Sequence, residues 1–516
     1  MQRPASMPPD GPRDGLAGPG VIVPAAHCTG TRHDTETALA GELAGALTPF
    51  LRTLINRRPV VALCTKSTDE PHWRALLESA GAAKVLTVDL TDLTLTERLL
   101  GGRRTVTTAI EHLALQHDVA RALGGHQLLA SFDPGGDAVV LAPDPLEITS
   151  IGGRCSLAVK PPVAHLVEHK TLVDGLWDLM GVDRQPSLVC DVTPTLPSQI
   201  AALDQGEGVV VSCQRRGHAP TVGGEHIWWV RRGRLPATFP PLTSRDLRAR
   251  VMPLLVGQPL RLHGMIVGGN VACFPVMELL SLPRPADGTF QWGGSVPARH
   301  LPTTARVHLH QVAARAGRWL AAHGYSGGFA IDGIRTDEGY WPTELTGRLT
   351  AAFEGVDSAV RVPVYAANLV ARAATHAQPS SGTLIEQTTP LLAELLTALT
   401  ARVLDATRAD IYGAATDATS HGTHQLRWTP TGLTAEPSPA TGTQNSAGTI
   451  ALTRNPRGWL LHCQLHAPAP LLPDLPWGSL APLVYHLSDQ VYGTSFGQLD
   501  PPFGLPPTPR GVIGPS

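Results

Sequence analysis

Four lysines in 516 residues is the first shortage: Lys66, Lys84, Lys160 and Lys170, in a chain with 41 basic residues. Charged residues make up 16% and the net charge is −2. Without a basic stripe or a strong field of one sign, nucleic acid is excluded as a partner. The seven cysteines (Cys28, Cys64, Cys155, Cys190, Cys213, Cys273 and Cys463) are scattered, and none forms a C-x-x-C pair. That excludes a zinc knuckle or a disulfide frame and reads as reduced thiols of a cytoplasmic protein. No apolar run approaches the ~18 residues that cross a bilayer, and the Pro- and Gly-rich N-terminus lacks an apolar signal core. No membrane association is therefore expected. No G-x-G-x-x-G follows a predicted strand, and no lysine follows a glycine loop, which excludes dinucleotide and P-loop sites. Two G-x-S-x-G matches, at Ser326 and Ser495, lack the strand–turn–helix order that a nucleophile elbow needs.

Length predicts roughly three domains at ~150 residues each. Residues 1–17 are poor in apolar side chains and read as a disordered N-terminus. In 18–150, short apolar runs at 21–24, 60–64, 85–88 and 139–141 alternate with helical spacing at 37–55 and 73–80. Such alternation predicts an α/β domain, a Rossmann-like parallel sheet with covering helices. Residues 383–500 read as a C-terminal accessory region. Within it, 383–402 carries a helical leucine pattern, 429–448 a linker composition and 455–465 a strand. Residues 501–516 form a Pro-rich tail that is not expected to pack.

The stretch richest in chemistry is 324–348, GYSGGFAIDGIRTDEGYWPTELTGR. A helical pattern through Leu309, Val312, Ala313, Ala316 and Leu320 ends at Gly324, and the period then switches to two. Residues 327–334 and 340–346 read as strands joined by Asp337-Glu338-Gly339, with glycine where a left-handed residue is needed. That loop predicts 336 opposite 340, 334 opposite 342, and Asp332 opposite Glu344. Opposed residues share a sheet face with Cβ atoms ~4.5–5.5 Å apart. Ala330, Ile334, Tyr340 and Pro342 are the neighbours expected on that face. Two carboxylates at about 5 Å repel by roughly 3 kcal/mol at an effective dielectric of ~20, so a cation is expected between them. Oxygen ligands suit Mg²⁺ or Mn²⁺. The spacing equally fits an ordinary hairpin with two chance acids. Pro342 confines its strand to an edge or to a position whose N–H is not needed.

With "FAIDGI", a glycine turn and "WPTELTGR", this hairpin resembles the metal-binding strand pair of the ATP-grasp superfamily. The resemblance implies that Asp332 and Glu344 hold Mg²⁺ beneath the phosphates of ATP. It places Thr346 where that family carries Asn, and it gives Arg348 a role on the acyl phosphate or the substrate carboxylate. "VEHKTLVDGLWDLMGVDRQP" is similar to the family's phosphate-lysine segment, with Lys170 at the matching position. A surface lysine is the plain alternative. Strand, loop and strand over 208–230 resemble the phosphate flap, with Ser212, Arg215, Arg216, Gly223 and Gly224 as its ATP contacts. The family's flap lysine is missing, since Ser212 and Cys213 occupy its place, and Arg215, Arg216 or His218 could supply the charge. A hairpin with a flexible basic loop fits as well. "VMPLLV" at 251–256 is similar to the adenine hinge, with Met252 and Leu254 as contacts but no acid. Arg299 is a further candidate for phosphate or substrate.

The resemblance implies a two-lobed α+β ATP-grasp module over 151–382. It further implies an ATP- and Mg²⁺-dependent ligase that joins a small-molecule carboxylate to an amine through an acyl phosphate. The GC-rich composition suits natural-product or peptide biosynthesis. The missing flap lysine keeps open a non-catalytic nucleotide-binding relative. Carboxylates about 5 Å apart also suit a retaining glycosidase, although few aromatics lie near the pair.

Overall fold

The computed structural model describes residues 21–22, 32–102, 109–144, 146–215, 226–244, 246–353, 355–374, 382–404, 408–415, 417–429, 432–437, 447–455, 458–466 and 475–506. The expected disordered segment 1–17 lies outside these residues, as do Arg216, His218, Gly223 and Gly224.

The apolar runs of the N-terminal third form the expected parallel sheet. Val60–Cys64 lies between Val85–Asp89 and Val139–Leu141, parallel to both. All five of its residues are buried, as a strand covered on both faces requires. Val60, Ala62 and Cys64 pack towards Leu43, Leu47 and Trp73. Val61 and Leu63 pack towards Leu115, Val119 and Leu123. The first predicted strand departs from this plan, since Val21–Ile22 pairs with Asn270–Cys273 of a different sheet. Among the described residues one helix, over Asp34–Ile55, is long and apolar enough to cross a membrane. Its Leu43, Leu47 and Leu51 are buried with Val364, Leu369, Leu392 and Leu396 of helices Ser358–Ala374 and Gly382–Val403, so it serves as a core helix.

A small antiparallel sheet follows, in the order Leu188–Asp191, Leu247–Pro253, Val209–Arg215, Ile227–Val230. Alternation divides its faces. Val209, Val211, Cys213, Trp228, Val230, Ala249 and Val251 bury one face against helix Leu196–Leu203. The alternate positions, Ser212, Gln214, Arg248 and Arg250, stand on the other face.

The large sheet is built around Gln258–Val267, which pairs with Asn270–Cys273, Met277–Arg284 and Gly327–Arg335. Leu260, Leu262, Phe329, Ile331 and Leu345 face helix Thr303–Ala322, packing against Leu309, Val312 and Leu320. Each such side chain contributes ~1.5–3 kcal/mol when fully buried. Among the described residues Tyr340–Thr346 pairs only with Gly327–Arg335 and so lies at the sheet edge, which accommodates Pro342.

The C-terminal region has more structure than its composition suggested. Residues 408–415, 458–466, 448–455, 422–429 and 432–437 form a five-stranded antiparallel sheet, and helix Trp477–Tyr492 packs on it. Strand Gly432–Pro437 thus falls inside the stretch read as a linker. The carboxylate of Glu278, on the large sheet, accepts the N–H groups of Trp477 and Gly478 and holds the start of that helix. Residues 500–505 are packed, contrary to the expectation for the tail. Gly257 N–H donates to the carbonyl of Phe503 at 2.7 Å, and the Phe503 ring meets Trp229 edge-on at 4.5 Å. Parallel sheet, small antiparallel lobe and large sheet follow one another as the fold class anticipated.

Candidate functional site

Asp332 stands opposite Glu344, as the chain reversal required. The details of the hairpin differ from the sequence reading. Thr336 N–H donates to Gly339 O, so the turn has four residues, and 335 rather than 336 faces 340. An irregularity between Asp332 and Gly333 absorbs the extra residue and restores the register. Beyond it, 334 faces Trp341 instead of Pro342. Tyr340 consequently lies with Ile331 and Leu345 in the core on the opposite face, its hydroxyl donating to Ile331 O. It closes over Gly333, where an added Cβ would come within 2.5 Å of its ring.

The cation beside Asp332 is a guanidinium. Arg261, directly opposite on the neighbouring strand, donates from Nε and Nη2 to the two Asp332 oxygens at 2.5 and 2.6 Å. Its Nη1 reaches Ser295 Oγ at 3.0 Å and Thr350 Oγ1 at 3.2 Å. Burial disfavours the Arg261 charge, but the charge and hydrogen bonds of Asp332, with Glu344 and Tyr340, outweigh it and raise its pKa. Two residues along, His263 bonds Thr350 through Nε2. Burial and the Arg261 charge hold its pKa well below the usual imidazole value, so it is neutral. An Asp332 locked in this way cannot act as the acid or nucleophile of a glycosidase.

Glu344 is half-buried and has no hydrogen bond or ion pair within 4 Å among the described residues. Thr346, opposite Ala330, lies on the same face and is buried. No group of three or more His, Cys, Asp or Glu residues able to enclose a metal occurs among the described residues. A closed calcium- or zinc-type cage is thus not formed there. One free carboxylate with a neighbouring hydroxyl suits Mg²⁺, which keeps waters and takes one or two carboxylates plus substrate phosphates.

Arg348 is pinned by Glu168 at 2.8 Å. Glu168 also takes the Lys160 ammonium at 3.0 Å and Gly347 N–H at 3.1 Å. Two residues on, Lys170 is 6% exposed and has no carboxylate partner among the described residues. Its ammonium is therefore not committed to a carboxylate there, and an anion could pair with it. Its backbone N–H donates to Gln214 Oε1 at 2.8 Å, and Gln214 Nε2 is buried without a partner. Lys170 therefore sits at the polar face of the small sheet, beside Gln214.

That face meets the acidic strand through Arg250. Its guanidinium grips Asp174 at 2.6 and 2.8 Å and donates to Thr343 O, next to Glu344, at 3.0 Å. Burial works against the Asp174 charge, but the Arg250 bonds and charge, Ser187 and Arg184 outweigh it and hold the pKa below the ordinary carboxylate value. Ser212 stands opposite Arg250 on the same face. Met252 is buried near the end of this strand, and Leu254 follows, its N–H bonded to Gly208 O. Arg215 points outward, 63% exposed, in a loose pair with Asp246 at 3.6 Å. Arg299 lies elsewhere. It donates to Leu475 O at 3.2 Å and covers the Trp477 ring, fastening the C-terminal helix.

Arg261, Gln214, Glu168 and the Asp174–Arg250 pair were missed from sequence. Their contacts span 71, 44, 179 and 76 residues of chain. The one local signal was alternation in "PLRLHGMIV", which puts Arg261 and His263 together on one face. All six described cysteines are free.

No family model matches this sequence, and no curated protein matches it. Several solved structures are similar to it. Carboxyaminoimidazole ribonucleotide synthase from Aspergillus clavatus, complexed with ATP, is 12% identical and covers 84% of this chain and 99% of its own, with a TM-score of 0.43. Phosphoribosylamine–glycine ligase from Thermotoga maritima is 14% identical, covering 86% and 98%, with a TM-score of 0.42. L-amino acid ligase from Bacillus licheniformis is 11% identical, covering 84% and 97%, with a TM-score of 0.38.

Proposed function

We propose that this protein is a cytoplasmic ATP-grasp ligase that uses ATP and Mg²⁺ to join a small-molecule carboxylate to an amine. One observation carries the reading. Arg250 fastens the polar face of the small sheet to the strand of Glu344, with Lys170 on that face and Glu344 on that strand both lacking an ion-pair partner among the described residues. A nucleotide polyphosphate with its divalent ion complements both signs at once.

In this reading Lys170 and the Gln214 amide bind phosphate oxygens. Met252 and Leu254 border the base. Glu344, with Thr346, would hold the divalent ion, which when bound neutralises charge on the transferring phosphoryl group. The substrate carboxylate attacks the γ-phosphorus, and the β–γ bridging P–O bond breaks to release ADP and an acyl phosphate. The amine then attacks the acyl carbon, phosphate leaves and the amine proton is lost. Glu168 holds Arg348 in one orientation beside this centre, which spares reorganisation during the reaction.

Nucleotide binding without turnover is the second reading, favoured by the flap strand. Where a lysine is expected the chain has Ser212, 9% exposed, and Cys213, whose thiol burial pushes up to about 12. ADP release measured over a panel of amino acids and amines, with and without Mg²⁺, separates the two. Ligation predicts Mg²⁺-dependent ADP formation that requires both co-substrates. Tight ADP binding with no release under any pair supports the second reading.

A further inference from the structure

We propose that Arg261 is a resident cation of the metal face, so that the site takes one divalent ion per nucleotide, through Glu344, with Asp332 reserved for the arginine. This rests on the nucleotide-binding reading above. Both oxygens of Asp332 accept from the guanidinium, at 2.5 and 2.6 Å. Arg261 is itself fixed by Ser295 and Thr350, and with side chains only 11% and 12% exposed, water cannot easily replace either partner. A divalent ion on Asp332 would lie within a few ångströms of a fixed positive charge that has no room to swing away. Glu344, directly opposite, has no such partner among the described residues. Asp332, Glu344 and Arg261 together carry a formal charge of −1, which suits a single dication shared with phosphate oxygens.

Arg261 is thus a positioning residue, acting through Asp332 to set how many ions the site accepts. A merely structural pair would leave that number unchanged. The test counts Mn²⁺ by its electron paramagnetic resonance signal on the full chain, at saturating ADP and with Mn²⁺ alone. Wild type is expected to bind one Mn²⁺ per bound ADP. Arg261→Gln, which frees Asp332, should bind two and hold the first about tenfold more tightly. Arg261→Lys keeps the charge and should still bind one. Two ions in the wild type, or one ion of unchanged affinity in Arg261→Gln, overturns the inference while leaving nucleotide binding intact. If Arg261→Gln does not fold, the wild-type count and Arg261→Lys decide the matter, since two ions in either contradicts it. Failure of ADP to bind at all overturns the functional reading and this inference with it.

Discussion

The polar faces of the small and large sheets have opposite chemistry and the same construction. Each has one closed bidentate pair with open polar groups beside it. On the small sheet Arg250 closes on Asp174, while the neighbouring donors, the Lys170 ammonium and Gln214 Nε2, stay open. On the large sheet Arg261 closes on Asp332, and the acceptor Glu344 stays open. The closed pairs hold backbone and side chains in place, and on the proposed reading the open groups are what the ligand meets. A buried ion pair is weak evidence for stability as such, so these pairs are better understood as devices that fix where the open charges point. On the proposed reading, the difference in sign between the faces suits a ligand that is anionic on one side and carries a cation on the other.

The comparison can be broken most severely at its shared fastener. Arg250→Met leaves Asp174 buried without its partner and should cost about 3–5 kcal/mol of stability in denaturant melts. Because the folded-state pKa of Asp174 lies below its unfolded value, its contribution is present above about pH 4 and is lost as pH falls below that. Arg250→Met should therefore lose less than wild type on acidification. Glu344→Gln removes the open acceptor, and Mg²⁺-dependent ADP formation should fall on the order of 100-fold or more, with the melting temperature little changed. Lys170→Met removes the open donor. ADP affinity by titration calorimetry should weaken about 10- to 100-fold, the worth of one charge-assisted hydrogen bond. Phe503→Ala touches neither open group but loosens the tail from Trp229. About 1 kcal/mol of edge-to-face contact would be lost, seen as faster amide exchange in Ile227–Val230.

How far these faces were legible in the sequence follows from the length of chain each contact spans. Asp332 and Glu344 are 12 residues apart across a glycine turn, and local geometry alone brought them together. Their flanking positions were misplaced because the extra residue near Thr343 changes which side chains share the face, and no composition signal marks it. Arg261 could be placed on a polar face by alternation, but its partner lies 71 residues away in sequence. The sequence offered a metal for that position where the fold supplies an arginine. Most of the C-terminal sheet was hidden because strands such as Gly422–Thr429, GTHQLRWT, are largely polar and lack an apolar run. The tail was hidden because a Pro-rich segment packs here through backbone and ring contacts that no periodicity announces.

ADP affinity measured in Mg²⁺ and again in EDTA, for the wild type and for Glu344→Gln, bears most directly on the pairing of an open cation with an open acid. Mg²⁺ should tighten ADP at least tenfold in the wild type and have little effect in Glu344→Gln, with EDTA values alike in both. Equal enhancement by Mg²⁺ in the two proteins, or no ADP binding in either, would contradict the account.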